Sequence, residues 1–160
     1  MSVVRFFMLL SLVVWLGGII FFAFVLAPTV FAVLPTRQLA GNVVSRALPL
    51  LHWAGIASGL VFAFTSMVQA RMTAGSAEPF AARHLLIYLM ILLTLVSQFA
   101  VGGKMMALRT QMSVIDNIPQ DDPRRVEFNR LHQWSTRLES AVLLLGLAVL
   151  YLTVRRLSQP

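Results

Sequence analysis

The chain has 160 residues, 58% hydrophobic and 12% charged, whereas soluble domains run near about half and about a quarter, so an ordinary soluble protein is excluded and a membrane protein expected. Cysteine is absent, which excludes a disulfide framework, a thiolate metal site and a cysteine nucleophile. The formal charge of +7 belongs at helix ends facing lipid headgroups, and no nucleic-acid partner is inferred.

The first apolar run, Phe6 to Ala27, is too long for a signal-peptide core and lacks a small-residue cleavage pattern. It reads as a retained membrane helix over about 5–33. Trp15 lies mid-helix beside Gly17 and Gly18; its indole is expected inside the bundle, packed or at the edge of a polar vestibule. The stretch PTRQLAGNVVSRALP that follows predicts a short helix capped by Thr36 and ended by Pro49.

The second crossing is expected over about 49–71, with His52 one turn inside it and Gly55 and Gly59 continuing the same face. A loop from Arg71 to Arg83 leads to the third crossing, 83–114, which carries Ser97 and Gln98. That helix is expected to run past Lys104 until Asn117-Ile118-Pro119 stops it. The fourth starts early, because Asp122 can cap a helix with Pro123 in its first turn. Over about 123–156 it is roughly 50 Å long at helical rise and must protrude from a hydrocarbon core of roughly 30 Å. The whole is one all-α domain, 1–160: an integral membrane four-helix bundle with a protruding helical hairpin between the third and fourth helices. Four crossings put both termini on one face, here side A, and the hairpin on side B. The Arg and Lys counts on the two sides do not orient the chain.

The polar residues concentrate toward side B. His132, Ser135 and Glu139 share one face of the fourth helix, with Arg130 nearby. His52 and His132 are expected at one level, above the glycines, with Gln98 in the same half of the membrane. Simpler roles compete. Gly55 and Gly59 also suit close helix packing, His132 and Arg130 suit headgroup contact, and Glu139 suits an arginine partner. His84, near side A, reads as an interfacial cap.

Further evidence is the pattern of Trp15, Gly17, Gly18, Ala27, Pro28 and Phe31, then Ala40-Gly41, then His52, then Arg130-x-His132-x-x-Ser135. These resemble the family called domain of unknown function 4149, which includes the transmembrane protein 205-like proteins, with similarity over nearly the whole chain. The resemblance implies a four-helix membrane protein and assigns no activity. In architecture the chain is also similar to copper-resistance D-type membrane proteins and membrane-bound protoporphyrinogen oxidases, which implies copper or haem handling.

Two functions are carried forward. In one, His52 and His132 ligate a b-type haem or a metal between the second and fourth helices, Gly55 and Gly59 leave room for a flat ring, and Arg130 and Ser135 hold its edge. Such a protein would transfer electrons or handle haem, with a membrane redox partner or as a homodimer. In the other, the side-B cavity is the vestibule of a small transporter or partner subunit, with Glu139, Gln98 and Trp15 in its wall and Glu139 and His52 handling protons or cations. Classical enzyme chemistry is disfavoured, because paired carboxylates, a nucleophile triad and a phosphate-binding glycine loop are all missing. A bacterial inner membrane is the expected location.

Overall fold

The computed structural model describes residues 2–112 and 118–157, and every regular element among them is helical. Four helices result: α1 (Ser2–Val33), α2 (Arg37–Ala74), α3 (Ala82–Met112) and α4 (Pro123–Leu157), each long and apolar enough to cross a membrane. The protein is therefore a multi-pass integral membrane protein. Even the shortest, α3 at 31 residues, measures roughly 46 Å at 1.5 Å per residue, so all four extend beyond the hydrocarbon layer. The expected end of the third helix at about 114, and the stop at Asn117, lie outside the described residues.

Local chemistry explains the helix ends. Asp122 Oδ1 accepts the backbone N–H of Arg124 at 2.8 Å, and Pro123 follows the cap at no cost because its missing N–H would be unpaired there anyway. Thr36 Oγ1 accepts the N–H of Leu39 at 3.2 Å. At the other end of α2, Gly75 takes φ 75° and donates to the Arg71 carbonyl at 3.2 Å, the left-handed closure that favours glycine.

Pro49 does not end a helix. It lies inside α2, which is continuous from Arg37 to Ala74. Pro49 leaves the carbonyl four residues back without its helical donor, an omission that membrane helices tolerate where neighbouring groups and local adjustments compensate.

Two wide π turns interrupt the helices, at Phe22–Leu26 in α1 and Val96–Gly102 in α3. The first precedes Pro28, which cannot donate to the Phe24 carbonyl; widening the turn before it relieves the clash. The second brings the Ser97 carbonyl to within 3.2 Å of where a Cβ on Gly102 would stand, so a side chain at that position would crowd the turn.

The helices pack as a ring. α1 lies along α2, α3 along α4, α2 touches α3 and α1 closes against α4. That leaves α2 and α4 diagonal to one another. Met8, Leu12, Trp15, Phe62, Ile87 and Val149 fill the interior, all nearly inaccessible, while Phe24, Leu50, Phe64 and Leu144 point outward as expected of surfaces that meet lipid.

Candidate functional site

The glycine groove is occupied by the protein itself. Trp15 lies across it so closely that a Cβ at Gly55 would collide with the indole Nε1, and one at Gly59 would stand 2.6 Å from Trp15 Cζ3. Gly55 and Gly59 therefore serve close packing between α1 and α2. There is no space above them for a flat ring, and Trp15 is a core residue rather than part of a vestibule wall.

The interior polar site lies beside that packing. His52, 3% exposed, meets Gln98 Oε1 through Nδ1 at 2.6 Å and Glu139 Oε1 through Nε2 at 2.6 Å. The histidine comes from α2, the glutamine from the π turn of α3 and the carboxylate from α4, so the contact spans the bundle diagonal. The amide oxygen only accepts, which places a proton on Nδ1. The second proton lies between Nε2 and Oε1, giving either imidazolium with carboxylate or neutral imidazole with carboxylic acid. Both forms of the pair are neutral overall, which suits burial within a membrane. Adding or removing one proton leaves a net charge in that setting.

Glu139 also faces a cavity of about 620 Å³, a size typical of small-molecule sites. Arg125, Phe128, Asn129, His132, Ser135, Thr136 and Glu139 contribute the α4 wall, a spacing that follows one helical face. Phe22, Ala23, Pro28 and Phe31 supply the α1 wall, Arg37 and Gly41 belong to the first turns of α2, and Arg109 comes from the last turn of α3. The cavity is thus built from the helix ends that extend toward side B, with the His52 pair at its membrane end.

The two histidines expected to act together are separated. His52 is level with Glu139, whereas His132 lies seven residues earlier on α4, about 10 Å nearer side B. His132 is exposed and lines the cavity mouth, and both His52 nitrogens already hold side-chain partners. Axial ligation of one iron by both rings does not fit this arrangement. Among the described residues no three of His, Asp and Glu gather as a metal site. Arg130 turns away from the cavity and pairs with Glu127 at 2.6 Å on the exposed face of α4. Ser135 is buried at the cavity wall, and Gln98 stands one step behind Glu139 through His52.

Arg37, Arg109 and Arg125 are cavity residues that sequence reasoning missed. Stepping back along α4 from His132 at helical spacing reaches Asn129, Phe128 and Arg125, so that signal was present. Arg109 had none, since its partners, the Gly41 and Gln38 carbonyls, lie 68 and 71 residues earlier.

His84 is not an interfacial cap. It is fully buried, with Nδ1 bonded to the Glu78 carbonyl at 2.9 Å and Nε2 facing Ser66 Oγ at 3.0 Å. Arg83 Nε donates to the same hydroxyl at 2.7 Å, and Arg156 reaches the Glu78 carboxylate at 3.3 Å. This second cluster ties α2, α3 and α4 together at side A. The cavity beside it holds only about 10 Å³, about one water.

A family described as a domain of unknown function, DUF4149, matches residues 10–113. The match covers α1 to α3, with His52 and Gln98, and stops short of α4, so Arg130, His132, Ser135 and Glu139 lie beyond it. No curated protein and no solved structure matches the chain.

Proposed function

The chain belongs to the domain of unknown function 4149 family, and from that premise we propose that it is a small membrane transporter. Its side-B vestibule admits the substrate, and the His52–Glu139 pair carries a proton that an imposed membrane potential drives even without substrate. The observation that supports this most is the position of Glu139, which lines the cavity and bonds His52 at 2.6 Å. A carboxylate at that place can exchange a proton with the cavity, while Gln98 holds its partner His52 inside the bundle. Ionisable groups at membrane depth are costly unless function retains them. Helical spans suit a bacterial inner membrane, since outer-membrane proteins span as barrels.

The test uses liposomes that contain the purified chain and a pH-sensitive dye, with a membrane potential imposed by potassium and valinomycin. Proton movement is expected with the wild type and with Arg130→Gln, and lost with Glu139→Gln and His52→Ala. No proton movement above empty liposomes would overturn the proposal. So would a Soret band that forms when haem is supplied and disappears in His52→Ala, which would restore the haem reading.

A further inference from the structure

The guanidinium groups around the vestibule lack a carboxylate partner among the described residues. Elsewhere Asp122, Glu127 and Glu78 each pair with an arginine, but Arg37, Arg109 and Arg125 have no such neutralisation. Arg109 gives its terminal nitrogens to α2 carbonyls, Gly41 at 2.8 Å and Gln38 at 3.2 Å, and its Nε is buried without a partner among the described residues. Gly41 makes room for this: a Cβ there would stand 2.5 Å from Arg109 Nη2. Arg125 donates to the Ile118 carbonyl. Carbonyl partners satisfy hydrogen bonds but cancel no charge, so three positive charges, one from each of α2, α3 and α4, line one cavity.

Opposite the polar α4 face the wall is apolar, with Phe22 and Phe31 from α1 and Leu48 from α2, and α4 itself adds Phe128. From Arg125 to Glu139 the cavity follows α4 for roughly 21 Å. A small inorganic anion would answer the charges and leave the apolar wall wet. A neutral apolar molecule would cover the wall and leave the charges unanswered. We propose that the ligand is a single-chain amphiphile with an anionic headgroup (a carboxylate, sulfonate or phosphate monoester), held by Arg37, Arg109 and Arg125 with its chain between Phe22, Phe31 and Phe128. A cavity of about 620 Å³ is of small-molecule size, which favours one alkyl chain over the two of a phospholipid. This ligand class rests on the reading of the vestibule as the transporter's substrate site.

The experiment is calorimetric titration of the full chain in phosphatidylcholine nanodiscs, with empty nanodiscs as the reference. Dodecanesulfonate is expected to bind saturably. Arg37→Gln and Arg125→Gln should each weaken it by about tenfold, the worth of one charge-assisted hydrogen bond. Arg125→Lys, which keeps the charge, should retain most of the affinity and so separates lost charge from a lost fold. Arg130→Gln should leave binding unchanged. Equal binding of dodecyltrimethylammonium would overturn the proposal, as would unaltered binding by Arg37→Gln and Arg125→Gln. Equally tight ethanesulfonate would identify a free-anion site, and full competition by phosphatidylglycerol in the disc a phospholipid site; either result would overturn the single-chain assignment. Binding as expected without proton movement in liposomes would refute the transport reading alone. Proton movement without dodecanesulfonate binding would refute the ligand class alone.

Discussion

His52 of α2 and Glu139 of α4 meet at 2.6 Å across the diagonal of a bundle in which those two helices otherwise scarcely touch. Their contact is a strut between non-neighbouring helices, and its polarity makes each partner depend on the other. Removing the carboxylate leaves the buried Nε2 of the imidazole without a partner. Glu139→Ala should therefore lower stability by about 2 kcal/mol, within the range for an orphaned buried polar group and below that for breaking a fully buried ion pair, because Glu139 borders the cavity. Glu139→Gln keeps a partner for Nε2, its amide N–H donating to the neutral ring, and should cost less than half as much. Unfolding midpoints in one detergent check both, and an unchanged midpoint in Glu139→Ala would show that the bond carries no stability.

How much of this was legible in the sequence depended on the range of the interaction. Thr36 and the Asp122-Pro123 start were readable because a cap is decided within three residues. Glu139, Gln98 and His52 were readable one by one as polar residues in apolar helices. Their meeting was not, since it requires the relative depth of α2 and α4, and assigning His52 and His132 one level misplaced the pair by about two helical turns. Pro49 obscured the geometry further by suggesting a boundary inside a continuous helix. Arg109 was invisible because what it bonds are backbone carbonyls of a distant segment, which leave no trace in residue type beyond Gly41.

The contact between Trp15 and the α2 glycines makes a quantitative prediction. Gly55→Ala forces a methyl into the indole and should cost about 1–3 kcal/mol, the usual range for overpacking, while Trp15→Ala should cost about 3–5 kcal/mol through the cavity it leaves. In the double variant the methyl has room. The two losses should then fall short of additivity by at least about 1 kcal/mol. Strict additivity in a double-mutant cycle of unfolding free energies would mean that the indole and the glycine do not share this contact.

The side-A cluster predicts a separation of stability from function. His84 joins the Glu78 carbonyl to Ser66 and is fully buried, so His84→Ala should remove about 2–3 kcal/mol by leaving the Glu78 carbonyl without this donor and opening a cavity beside Ser66. The vestibule is built from the other ends of the helices. Proton movement per folded molecule should therefore be unchanged in His84→Ala, measured in liposomes after correction for the folded fraction. A loss as complete as that of Glu139→Gln would place His84 on the proton path.

The start of α4 should respond to acid in a defined direction. The Asp122 carboxyl is held down to about 2 from an ordinary 3.8, first by its side-chain hydrogen bond to Arg124 and then by the Arg124 backbone N–H. Because its folded value is the lower one, the contribution of the charged cap is complete above about 3.8 and declines as pH falls toward about 2. Below that range the protonated acid accepts more weakly, and the first turn of α4 loses its best anchor. Hydrogen exchange at Arg124 and Arg125, corrected for the intrinsic acid dependence of amide exchange, should accelerate as pH is lowered through that window. Asp122→Asn retains a neutral acceptor, so its corrected exchange should already be faster at neutral pH and should change little in acid. Superimposable corrected profiles for the two proteins would show that the start of α4 does not depend on the ionised cap.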